Sequence, residues 1–147
     1  MINFFYREKN KVLIFLIVVT SISFFDTIRK GLINGCDFQW HPAKLFWDGI
    51  NHYEKFLNQD NFDFLCQGGQ YAHGLHVILF PYTLFEWETA RLMWVITNVI
   101  FALAIPLILC KKFDIPKYKS IIILLIFLTA YPTRMTINYG QQSLFVL

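Results

Sequence analysis

Apolar positions in this chain fall into separate long runs divided by short charged stretches, which is the pattern of segments that cross a bilayer. Residues 92–110 form the clearest run, 19 residues without a formal charge, bracketed by Arg91 and by Lys111 with Lys112. That is close to the ~20 residues a helix needs to cross a ~30 Å hydrocarbon layer. Pro106 lies inside it, which a lipid-embedded helix tolerates, and Asn98 is a polar group expected to face another helix. An earlier run, residues 12–25, is only 14 long and follows Arg7, Lys9 and Lys11. Its length also suits a signal-peptide core, with Ser21 and Ser23 near a cleavage position. Apolar character resumes at Leu32 and Ile33, and Lys11 and Arg29 can snorkel outward, so an uncleaved helix is the preferred reading. Residues 71–85 and 120–133 are shorter uncharged runs that span if tilted little or packed among neighbours. A last apolar run opens at Ser143. The sequence reading is therefore the amino-terminal part of a larger helical bundle, with residues 1–147 forming part of one membrane domain.

Between the first two clear spans, the stretch CDFQWHPAKLFWDGINHYEKFL places Pro42 where a helix can start. Leu45, Phe46, Ile50, Tyr53 and Phe56 then follow at three- and four-residue spacings. This predicts one or two amphipathic helices on the membrane face, with Gly49 as the break between them.

Composition narrows the class. With 56% hydrophobic, 18% aromatic and 16% charged residues, a soluble chain of 147 residues would expose large apolar patches, so an all-α integral membrane protein is predicted. Charge sets its expected orientation. Residues 1–11 carry a net +2 and residues 111–119 a net +3, both cytoplasmic by the positive-inside rule, while residues 26–91 carry −3 and belong outside. An even number of crossings between the basic segments makes residues 71–85 re-entrant or surface-lying. If they span, the second basic segment lies outside. The basic excess flanks the membrane, and no phosphate loop, CxxC pair or basic aromatic surface suggests nucleic acid.

The outer loop, placed at about residues 26–70, concentrates the polar chemistry. Asp37, beside Phe38 and Trp40, reads either as a helix-capping or solvated carboxylate or as a general base at the membrane surface. One such base suffices for transfer from a phosphate-linked donor, whose phosphate leaves without protonation, whereas glycoside hydrolysis usually wants a second carboxyl. His41, His52, His73 and His76 lack an HxH or HExxH pattern, so no metal site is assigned. Cys36 and Cys66 share the loop, where a disulfide is chemically permitted, and Cys110 falls at the opposite membrane face.

In the order of these features the chain resembles glycosyltransferase family 87, the polyprenyl-phosphate-sugar-dependent membrane enzymes that include mycobacterial mannosyltransferases. Four stretches carry the resemblance. DFQWHPAKLFWDGINHYE holds Asp37, Phe38, Gly49, Tyr53 and Glu54, and YAHGLHVILFPYTLF holds Tyr71 and Pro81. ETARLMWVITNVIFAL holds Ala90 and Trp94, and YPTRMTINYGQQSLFVL holds Pro132, Gly140, Gln141, Ser143 and Leu144. Ala72 and His73 stand where the family has two prolines, and His52 where a proline often precedes the tyrosine. The family's enzymes are two to three times longer.

What the resemblance implies is a GT-C type helical bundle, here partial, in a bacterial inner membrane, with the catalytic loop extracytoplasmic. Its activity is transfer of a hexose such as mannose, with inversion, from a polyprenyl-phosphate sugar to a lipid or glycan acceptor, without metal or other cofactor. By position Asp37 is the catalytic base, and His41, Tyr53, Arg134 and Gln141 are the substrate-binding candidates. Arg134 either holds a lipid phosphate or anchors a helix end, and Gly140 with Gln141 equally suits a helix-entry turn. Rivals from other classes are a non-enzymatic polytopic subunit or transporter piece and a non-functional remnant.

Overall fold

A computed structural model describes residues 2–34, 38–57 and 74–140. Among them every regular element is an α-helix: α1 Ile2–Asn34, α2 Trp40–Trp47, α3 His52–Leu57, α4 Gly74–Thr83, α5 Trp87–Lys112, α6 Lys117–Thr129 and α7 Tyr131–Tyr139. Two segments, Asn10–Ile33 and Trp87–Lys112, are long and apolar enough to cross a membrane, with mean hydropathies of 2.0 and 2.4. Over its described residues the chain is thus an all-helical membrane protein.

The run at residues 12–25 is the middle of a much longer helix, because the charges beyond it are absorbed locally. Asp26 accepts from Arg29 at 3.2 Å and from Lys30 at 2.6 Å, one turn on, and α1 continues to Asn34. α1 therefore runs eight residues past Asp26, where the charge pattern placed the start of the outer loop. In α5, Glu88 in the first turn and Lys111 and Lys112 in the last complement the helix dipole. Pro106 sits within this helix without an N–H to donate to Ala102, and both residues are buried.

The two shorter apolar runs behave differently from one another. The described part of residues 71–85 is α4 with Leu84 and Phe85 after it; α4 is ten residues or ~15 Å long, half the hydrocarbon thickness, and packs on α2. Residues 120–133 are not one helix. The chain breaks at Ala130, whose ψ is 139°, and α6 and α7 meet at a 47° bend. Pro132, second residue of α7, has no N–H to donate to the Leu128 carbonyl, and its ring would clash with that carbonyl if α6 ran on unbroken. Thr133 Oγ1 donates to the Phe127 carbonyl at 2.8 Å and Thr129 Oγ1 to that of Leu125 at 3.0 Å, giving polar partners to backbone near the break.

α1 and α5 run antiparallel. Arg91 donates to the Ile33 carbonyl at 3.4 Å, and Gly31 lies where an added Cβ would stand 2.6 Å from the Ile137 carbonyl oxygen of α7 and 3.2 Å from Val95 of α5. From that level Lys11 lies ~33 Å back along α1 and Lys111 ~30 Å on along α5, at 1.5 Å per residue. The two basic segments therefore share one end of the bundle, and α2, α4 and the end of α7 occupy the other.

Candidate functional site

At the end of the bundle remote from the basic segments, an aromatic cluster is assembled from four elements. Phe38, fully buried, stacks on Trp94 of α5 with ring centroids 4.4 Å apart and planes at 7°. Tyr82 of α4 meets its edge at 5.5 Å, and Trp87 lies 5.9 Å away. Buried indole N–H groups need acceptors, and they have them: Trp40 donates to the Tyr82 carbonyl at 3.1 Å and Trp94 to the Thr136 carbonyl at 3.3 Å. The second bond ties α5 to α7. Burial pushes the Tyr82 phenol above the ordinary tyrosine range, against a hydrogen bond with Thr97 that acts the other way.

Gly140 closes the arrangement. It ends α7 in the left-handed region, at φ 69°, as the helix-exit residue. A Cβ there would stand 2.5 Å from both Cα and Cβ of Phe38, so only glycine lets the two backbones come this close. Asp37 precedes Phe38 in the chain and Gln141 follows Gly140, so the two sequence signatures meet at their neighbours. Asp37 and Gln141 themselves, like Cys36, Cys66 and His73, lie outside the described residues. Gln39, also left-handed at φ 68° and fully buried, turns the chain from Phe38 into α2.

α2 therefore starts at Trp40, two residues before Pro42, which occupies its third position. Its buried face is Trp40, Pro42, Ala43 and Leu45, whereas Ile50 and Tyr53, expected with Leu45 and Phe46 on a membrane-facing surface, are 45% and 38% exposed and do not continue that buried face. The cause is the break at Gly49, φ 74°, which interrupts the helical period, after which Asn51 Oδ1 accepts from the Tyr53 N–H at 3.1 Å and starts α3.

No family model, curated protein or solved structure matches the chain. The site must be judged from its own geometry. His41 is half-buried on α2, its ring 6.2 Å from that of Trp40. Tyr53 lines a hollow of about 490 Å³ with Phe46, Gly49, Asn51 and His52. Arg134 lines a different cavity, about 360 Å³, with Lys30, Tyr131, Met135, Asn138 and Tyr139. The candidates Tyr53 and Arg134 are thus not brought into one cavity. His52 and His76 are buried with their rings 5.0 Å apart and perpendicular. Among the described residues no three histidine, cysteine or acidic side chains converge as metal ligands, and Cys110 is a buried free thiol.

Sequence reasoning missed Lys30, which had been read only as part of a loop charge count, and the contact between Phe38 and Gly140. The second had a signal: an Asp-Phe and a Gly-Gln pair, each beside a proline-marked helix, were both singled out without being placed together.

Proposed function

We propose that this chain is part of a membrane glycosyltransferase of GT-C type, moving a hexose from a polyprenyl-phosphate sugar to a lipid or glycan acceptor with inversion. The carrying observation is the seat of Gly140 on Phe38, beside which the chain continues to Gln141 and to Asp37. The resemblance to glycosyltransferase family 87 rests on those same two stretches, and their meeting supports treating them as one site. In this reading Asp37 takes the acceptor hydroxyl proton while the donor phosphate departs, and the buried aromatic cluster holds the loop rigid behind it. His41, Tyr53 and Gln141 serve substrate binding. The end carrying this site faces the extracytoplasmic side of a bacterial inner membrane, since Lys11 and residues 111–119 gather at the opposite end and follow the positive-inside rule.

The test is transfer of labelled hexose from a polyprenyl-phosphate donor by membranes carrying the full chain, compared with Asp37→Asn. Loss of a general base is expected to lower the rate at least ~100-fold. Undiminished transfer by the variant removes Asp37 from the reaction. Absence of transfer by wild type favours the rival reading of a non-enzymatic polytopic subunit, which draws on the light cover of α1, only 11% of its apolar window being buried.

A further inference from the structure

The cavity between α1 and α7 has a chemistry of its own. Two cations on different helices, Lys30 and Arg134, line the same space of about 360 Å³. Asp26 is shared between Lys30 and Arg29, so that neither cation has a carboxylate to itself. Among the described residues no carboxylate pairs with Arg134, which is half-buried on α7. Asn138, 8% exposed, also lines the cavity, and its Oδ1 is buried without a hydrogen-bond partner. That combination suits a ligand with negative charge for the cations and a hydroxyl to donate to the amide oxygen. Position narrows it further. Lys30 falls in the last turn of the membrane-crossing stretch of α1, and Tyr131 and Tyr139, 70% and 46% exposed, flank the cavity at that level. Tyrosines and snorkelling cations at the end of an apolar span mark the depth of lipid headgroups.

We infer that this cavity is a binding site for a lipid phosphate, held by Lys30 and Arg134, with Asn138 reading a hydroxyl of the headgroup. The inference stands on the cavity and not on the sugar-transfer reading, so either can fail alone. Charge-assisted hydrogen bonds from Arg and Lys to phosphate are the strong ones, and here the two cations reach one cavity from two different helices, α1 and α7. Their spacing is fixed by the close crossing at Gly31, one residue from Lys30.

Native mass spectrometry of the purified full chain tests it, titrating phosphatidylglycerol, a polyprenyl phosphate and, as a zwitterionic control, phosphatidylcholine, with inorganic phosphate as competitor. Both anionic lipids are expected to bind at least tenfold more tightly than the control. Neutralising Lys30→Gln or Arg134→Gln is expected to weaken them about fivefold each, the worth of one basic residue near a charged membrane surface. Lys117→Gln, at the other end of the bundle, leaves that binding unchanged. Preference for the polyprenyl phosphate over phosphatidylglycerol means that the chain is read together with the phosphate, and displacement by inorganic phosphate means that the head alone suffices; both uphold the site. Equal binding of all three lipids, or full anionic-lipid binding by the folded double variant, overturns it. If the double variant fails to fold, Lys30→Arg with Arg134→Lys and the salt dependence of wild type decide: retained binding that weakens with added salt supports the charge pair, and salt-insensitive binding refutes it.

Discussion

Replacing Gly140 with alanine separates two costs that a second glycine measures independently. At φ 69° a residue with a Cβ loses about 1 kcal/mol to left-handed backbone strain. The new methyl would also stand 2.5 Å from Phe38 Cα and Cβ, and because these are not the far end of a flexible chain, the Phe38 backbone must move. Overpacking of this kind costs a further ~1–3 kcal/mol, for a total of ~2–4 kcal/mol. Gly49 is the control, since its φ is 74° but nothing lies within 4 Å of its added Cβ, so alanine there costs only the strain, ~1 kcal/mol. The assay is equilibrium unfolding of both variants in mixed micelles, followed by tryptophan fluorescence. Trp94 reports directly, because its ring stacks on Phe38 at 4.4 Å. Gly140→Ala should shift its emission in the folded state as well as lowering stability, and Gly49→Ala should do neither beyond the strain. Equal losses for the two glycines would show that the Phe38 seat adds nothing.

Other perturbations follow from the same packing. Gly31→Ala drives a methyl to within 2.6 Å of the Ile137 carbonyl oxygen and 3.2 Å of Val95, and is expected to cost ~1–3 kcal/mol in the same unfolding assay while loosening α1 from α7. Asn98 donates to the Trp94 carbonyl at 2.8 Å, but its Oδ1 is buried without a partner, so Asn98→Leu should hold stability within ~1 kcal/mol or raise it. A larger loss in unfolding midpoint would mean the amide is needed. The Tyr82 phenol, raised by burial, should ionise above the range of an exposed tyrosine in an ultraviolet titration, its contribution identified with Tyr82→Phe. Its stabilising effect is complete below about pH 10, where both states are neutral. It falls as pH rises through the folded value, because the unfolded chain loses the proton first.

Long uncharged runs were legible because the hydrocarbon thickness imposes a length on them, and α5, Trp87–Lys112, contains residues 92–110 with five residues added before and two after. The orientation of the charges was legible at the level of which ends group together. Helix boundaries near charges were not. Asp26 looked like the start of a loop because a charge count cannot see that Arg29 and Lys30 lie one turn on and neutralise it within the helix. The break at Ala130 follows from Pro132, yet an apolar run reads the same on both sides of a bend. Of the cavity between α1 and α7, Arg134 was singled out in the sequence through the family resemblance, whereas Lys30, which lines the same space, depends on a crossing between α1 and α7 that no local pattern contains.

The contact between Phe38 and Gly140 also sets an order of events during synthesis. These residues are about a hundred positions apart, so the pairing forms only after α5 and α7 have been made and inserted, and loop closure of that length is slow. Until then Phe38, Trp94 and Tyr82 have lost one wall of their enclosure and present aromatic surface at the bilayer edge. A nascent chain that stalls before α7 would therefore expose a patch that the finished fold hides. Burial of this cluster marks completion of the bundle, and membrane quality-control proteases that sense exposed aromatic surface would have a ready means of telling the unfinished chain from the finished one.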